Sequence, residues 1–156
     1  MEWRRLDGRP IHEPIVEAIQ NIIEKEQALG YELTVCIGSD SQVKNSEITF
    51  ATVIVFLRKG KGGFMLVSNE VVKRTMTIKE RMMHEVILSV GVAYDISDLL
   101  AKYKIPLEVH VDINPDVNFK SNVALKEAMG YILSMGYVFK AKPNAFASSS
   151  CADKVC

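Results

Sequence analysis

The chain has no run approaching the ~20 apolar residues that a membrane span needs, so no span is expected. It opens on Met1-Glu2-Trp3-Arg4-Arg5, too polar for a signal peptide, and the expected location is the cytoplasm. Cysteine is scarce. Cys36, Cys151 and Cys156 are an odd number without a CxxC pair, which argues against a disulfide framework and against a structural zinc site. Cys36 sits in an apolar run and reads as a small core residue. An excess of charge is missing too, with Lys+Arg and Asp+Glu both at 19. Neutrality speaks mildly against a strong nucleic-acid binder, which is often basic. The point weakens if some acids carry metal. Repeats, low-complexity stretches and linkers are absent. What is present, 48% hydrophobic and 24% charged residues in 156, has the balance of a globular protein and the length of one domain over 1–156.

Hydrophobic periodicity divides the chain into helices and strands. Pro14 to Leu29 reads as a helix within an N-terminal extension over 1–30, with Ile15, Ile19, Ile22 and Ile23 on one face and Gly30 just beyond its end. Three strands are predicted next, over Glu32–Ser39, Ile48–Leu57 and Gly63–Val72. The connections at Lys44-Asn45-Ser46 and Lys59-Gly60-Lys61-Gly62 are short enough for hairpins, so the three form an antiparallel meander. Thr77 to about Tyr103 is helical, with Met83, Ile87, Val90, Tyr94 and Leu100 at helical spacing and Thr77/Glu80 as a capping box. A fourth strand over Leu107–Ile113, a helix over Lys120–Met135, a short strand over Tyr137–Ala141 and a final helix over Phe146–Cys156 follow. A meander makes its third strand parallel to its first, and each helical crossover then adds another parallel strand. The expected fold is α/β, a five-stranded mixed sheet flanked by helices.

Ligands in open α/β sheets gather at the carboxyl ends of parallel strands. Asp40 closes the first predicted strand and Asp112 the fourth. If those strands are neighbours, the two carboxylates stand one strand spacing apart, ~4.8 Å. Two like charges that close repel by about 4 kcal/mol at a surface-like dielectric. A shared proton or a bound cation must offset this, and Mg2+ prefers oxygen ligands of this kind. Either aspartate alone could simply cap a turn. It is their combination with the strand order that points to metal.

These residues resemble the ribonuclease H-like superfamily, and in particular the small bacterial branch of predicted nucleases called YkuK-like. The resemblance runs from Tyr31 to the end of the chain, with the N-terminal helix fitting the small branch. Its pattern matches Asp40 in IGSDSQ, Glu85 in RMMHE, Asp112 in HVDIN and Asp153 in the final segment. It implies a metal-dependent nuclease using Mg2+ or Mn2+ in a two-metal-ion mechanism, with RNA, an RNA–DNA hybrid or structured DNA as substrate. Glu80 competes with Glu85 for the helix position but has the capping box to serve. Ser41 and Gln42 stand where many such enzymes have a glycine, and Lys44, Lys120 and Lys142 border the implied substrate path.

His110 shares a strand face with Asp112 and either helps position substrate or packs beneath a helix. Asn114 and Asn118 could touch phosphate or equally serve a turn. Trp3 could stack on a base or anchor the N-terminal arm. Two further functional classes are compatible with the sequence. One is a non-catalytic nucleic-acid-binding or assembly module on the same fold. The other is a nucleotide-phosphate binder, suggested faintly by Ile37-Gly38-Ser39-Asp40-Ser41.

Overall fold

The computed structural model describes residues 1–113 and 122–156. The strands β1 (Trp3–Arg5) and β2 (Pro10–Ile11) precede helix α1 (Ile15–Ala28), then β3 (Leu33–Lys44), β4 (Glu47–Arg58), β5 (Gly62–Val72), α2 (Ile78–Lys102), β6 (Leu107–Val111), α3 (Asn122–Ser134) and β7 (Val138–Lys140). A π-helical turn over Ala147–Ala152 and a 3-10 turn over Asp153–Val155 end the chain. All strands join one mixed sheet in the order β2-β1-β5-β4-β3-β6-β7. The meander β3-β4-β5 is antiparallel, and β3-β6 and β6-β7 are parallel, as the crossover rules require. No helix among the described residues is long and apolar enough to cross a membrane.

The sheet has seven strands rather than five. The two additions, β1 and β2, are three and two residues long, too short to show alternation. They extend the sheet beyond β5, and Trp3 is buried in the core, which leaves no ring face for a base. The helix α1 forms as expected. Pro14 occupies the cap, and Gly30, at φ +85°, takes the left-handed position that ends the helix.

The core lies in two layers. Val35, Ile37, Ile54, Phe56, Leu66, Val109 and Val111 point to one side of the sheet, where they pack with Ile19 and Ile23 of α1 and Val86, Ala93 and Ile96 of α2. Cys36, Ala51, Val53, Val55 and Val67 point to the other side, beneath Ala147 and Ala152 of the C-terminal turns.

Three local expectations change. The strand β3 runs to Lys44 rather than Ser39, because β4 pairs with it residue by residue from Leu33↔Arg58 to Lys44↔Glu47. Its hairpin turns at Asn45 and Ser46, both at positive φ, as a two-residue hairpin that follows the sheet twist requires. On α2 the buried stripe is Glu85, Val86, Ser89, Val90, Ala93, Ile96 and Leu100, whereas Ile87 and Tyr94 are exposed. Small residues set that face. Ser89 Oγ comes within 2.8 Å of Ser39 Oγ, a closeness that larger side chains would prevent. The final segment is not a regular helix. Ser148 and Ser149 hydroxyls both donate back to the Ala145 carbonyl, which competes with the ordinary helical ladder. At Gly38 the sheet touches this segment so closely that an added Cβ would fall on the backbone of Ala147 and Ser148.

Candidate functional site

The parallel pairing of β3 and β6 ends at Ser39↔Val111. The next residues along the chain are Asp40, still within β3, and Asp112, just past the end of β6, so the two aspartates stand in one row where the parallel pairing stops. The sequence placed Asp40 at a strand terminus. It lies instead where the parallel partner of β3 stops while its antiparallel partner continues, at Asp40↔Ala51. The run Ile37–Ser41 is therefore continuous paired strand, and the faint phosphate-loop reading of it is overturned.

Glu85 reaches the same end of the sheet from α2. It is 2% exposed, and Ser41 Oγ donates to its Oε1 at 2.5 Å. Arg81, one turn earlier on α2, holds Ser41 in place by donating from Nε to Oγ and from Nη2 to the carbonyl, each at 3.1 Å. Glu80 makes the capping box with Thr77, leaving Glu85 as the inward glutamate. Asp153, brought over by the C-terminal turns, lies beside Asp40, and Gln42 Nε2 stands 3.5 Å from its Oδ1. Lys142 Nζ stands 2.8 Å from Asp112 Oδ1, an ion-pair distance whose angles fall short of a hydrogen bond.

Burial dominates the electrostatics. It pushes the Asp40 carboxyl up to about 6, reinforced by Asp153 and opposed by the Ser41 backbone N–H that donates to Oδ1. Burial also pushes Glu85 up to about 8, with Asp40 adding to the rise and Ser41, Arg81 and Lys142 opposing it. Two carboxylate oxygens in this group, Glu85 Oε2 and Asp112 Oδ1, are buried without a hydrogen-bond partner. Asp112 Oδ1 already faces the Lys142 ammonium, whereas Glu85 Oε2 is a buried orphan acceptor, which is costly and which a cation would satisfy.

The structure sorts the remaining expectations. Ser41 is buried and orients Glu85 rather than facing a substrate. His110 is 1% exposed and does not line the site. Asn114, Asn118 and Lys120 lie outside the described residues. Arg81 was missed, although its i, i+4 spacing from Glu85 was a usable signal.

A second cluster lies under the C-terminal turns. Cys36 Sγ, a Glu108 carboxylate oxygen and a His110 ring nitrogen all lie within 4.8 Å of one another, the one such trio of potential metal ligands among the described residues. Their separation in sequence gave no hint of it. Existing hydrogen bonds occupy these atoms. Ala147 N–H donates to His110 Nδ1 at 3.2 Å, which leaves Nε2 as the protonated nitrogen that donates to Glu108 Oε2 at 3.2 Å. Cys36 Sγ lies 3.3 Å from the same oxygen, and Lys140 Nζ lies 2.9 Å from Oε1. Burial holds His110 below the ordinary imidazole value. As it stands, the trio is a closed network that fastens the C-terminal turns to β3, β6 and β7.

A family model described as "Ribonuclease H-like" matches residues 14–156. The chain is also similar to the uncharacterised protein YkuK of Bacillus subtilis (strain 168), with 29% identity over a 154-residue alignment covering 90% of this chain and 87% of that protein. No solved structure matches.

Proposed function

The chain belongs to the ribonuclease H-like family, and from that premise we propose that it hydrolyses phosphodiester bonds of a nucleic acid with divalent metal held at the site formed by Asp40, Glu85, Asp112 and Asp153. The substrate class is RNA, an RNA–DNA hybrid or structured DNA. The observation that carries the reading is the row formed by Asp40 and Asp112 at the end of the β3–β6 pair, with the partnerless buried Oε2 of Glu85 beside it. Hard carboxylate oxygens of this kind suit Mg2+ or Mn2+.

When bound, such ions supply the Lewis acidity and positive charge that in-line attack on a phosphodiester needs. The chain's own residues do the rest. Arg81 fixes Ser41, and Ser41 fixes the rotamer of Glu85, so that Oε2 stays directed away from the hydrogen-bonded edge. Asp40 and Glu85 must give up their protons before they can ligate, which their raised pKa values delay to neutral and mildly basic pH. Gln42, beside Asp153, and the half-exposed Lys142, beside Asp112, would meet a phosphate oxygen of the substrate.

One observation favours a non-catalytic binding module instead. The four acids do not bring three ligand atoms within 4.8 Å of one another, as Cys36, Glu108 and His110 do. Hydrolysis of labelled RNA, hybrid and DNA in Mg2+ or Mn2+ decides between the two. Asp40→Asn and Asp112→Asn are expected to lower the rate by more than about 100-fold. Equal rates in wild type and both variants would sink the nuclease reading.

A further inference from the structure

Asp112 has a cation of the chain's own at hand. Lys142 Nζ lies 2.8 Å from its Oδ1, and the same ammonium also acts on Glu85. The position is built rather than incidental. Lys142 lies two residues beyond the end of β7, in a turn closed by the Asn144 N–H to Ala141 carbonyl bond at 2.8 Å. Arg81 plays the matching part for Asp40 and Glu85, held by both its bonds to Ser41. Four carboxylates at one sheet end therefore meet two fixed cations. With all four ionised, as ligation requires, one divalent ion cancels the charge that remains, while two ions would overshoot neutrality by two charges. The buried, partnerless Oε2 of Glu85 marks the side on which an ion is still wanted.

We propose that Lys142 takes the place of a second divalent ion. The site then binds a single ion on the side of Asp40, Glu85 and Asp153, and the Lys142 ammonium supplies the other positive charge beside Asp112. This rests on the reading that the four acids hold a divalent ion at all. A lysine suits the role because its ammonium is a compact charge with three donors. Its side chain is 43% exposed, so it can meet a substrate phosphate while staying near Asp112. An ammonium and a second metal ion would compete for the same carboxylate, so the presence of one weakens the other.

The test is Mn2+ binding to the full chain, at a pH above the Glu85 value of about 8, followed by electron paramagnetic resonance of the free ion and by calorimetry. Wild type is expected to bind one ion per chain. Lys142→Met should admit a second ion or bind the first about tenfold more tightly, a modest factor because the lysine is half-exposed. Lys142→Arg keeps the charge and should keep the single ion, and it serves as the informative variant if Lys142→Met folds poorly. Two ions bound by wild type overturn the proposal, as does a Lys142→Met protein with unchanged stoichiometry and affinity. Absence of any bound ion in wild type overturns it together with the nuclease reading. One ion in wild type and two in Lys142→Met, without hydrolysis of any nucleic acid, supports Lys142 and removes the nuclease reading alone.

Discussion

Replacing Glu85 with glutamine should make the metal-free protein more stable at neutral pH, although it removes a residue assigned to the site. Glu85 is buried, and its carboxyl is raised from 4.5 to about 8. A carboxyl raised in the folded state binds a proton there that the unfolded chain has already lost. Stability therefore falls as pH rises from about 4.5 to about 8, and no difference remains below 4.5. At pH 7 the penalty is about 3 kcal/mol, at 1.36 kcal/mol per pH unit above the unfolded value. Glu85→Gln keeps an acceptor for Ser41 and cannot ionise, so it escapes this cost. In a chelator, its melting temperature at pH 7 should exceed that of wild type by roughly 6–12 °C for a chain of this size. At pH 4 the two should coincide. Adding Mn2+ should narrow the gap or reverse it, since an ion at 100 times its Kd stabilises wild type by about 2.7 kcal/mol. Thermal or urea unfolding across pH checks this. Equal pH slopes for both proteins in chelator, or a wild type more stable than the variant at pH 7, would refute the assignment of a buried, strained carboxylate.

Three further outcomes are expected. Mn2+ affinity should climb between pH 5 and pH 8, by about tenfold per pH unit for each proton displaced, because Asp40 and Glu85 must deprotonate through about 6 and about 8. A flat calorimetric profile over that range would count against both as ligands. Gly38→Ala should lose about 1–3 kcal/mol in chemical denaturation, since its methyl group would displace the Ala147–Ser148 backbone, and Mn2+ binding should weaken as Asp153 moves with that segment. Arg58→Ala should cost about 2–3 kcal/mol while leaving Mn2+ binding unchanged. It abandons Glu26, which is paired at 2.6 and 2.8 Å, and removes a guanidinium from over the Tyr31 and Phe64 rings. Loss of Mn2+ binding in Arg58→Ala would show that the two ends of the sheet are coupled.

The long elements were legible because their signals are redundant. The meander β3-β4-β5 carries β-branched runs separated by turn residues, and α2 announces itself through the Thr77/Glu80 capping box. Topology then followed from connection rules, and with it the neighbourhood of Asp40 and Asp112. The stripe on α2 was misread because Ile87 and Tyr94 were taken as inward on hydrophobicity alone. The true contact face is set by Ser89 and Ala93, whose merit is small size. Glu85 was selected by the resemblance and by the capping-box role of Glu80, whereas its burial follows from that small-residue face of α2. The C-terminal turns were hidden because their shape depends on Gly38, over a hundred residues away, and on serine hydroxyls that bond to their own backbone. Long-range partnerships of single atoms, such as Arg81 with Ser41 or His110 with Ala147, leave no periodic trace in a sequence.

The N-terminal arm has a consequence for encounters between molecules. Without it, β5 would be an eleven-residue margin of the sheet with unpaired backbone groups along its length. The arm lays β1 on the middle of that margin at Arg4↔Val67 and Arg5↔Leu66, and outside β1 lie the two residues of β2, one of them Pro10 with no N–H to offer. A second copy approaching from this side meets a stub bearing proline, beside arginines that repel their own kind. At Leu66 and Val67, growth of the sheet from one molecule to the next, the first step toward a fibril, meets this arm in place of an open strand.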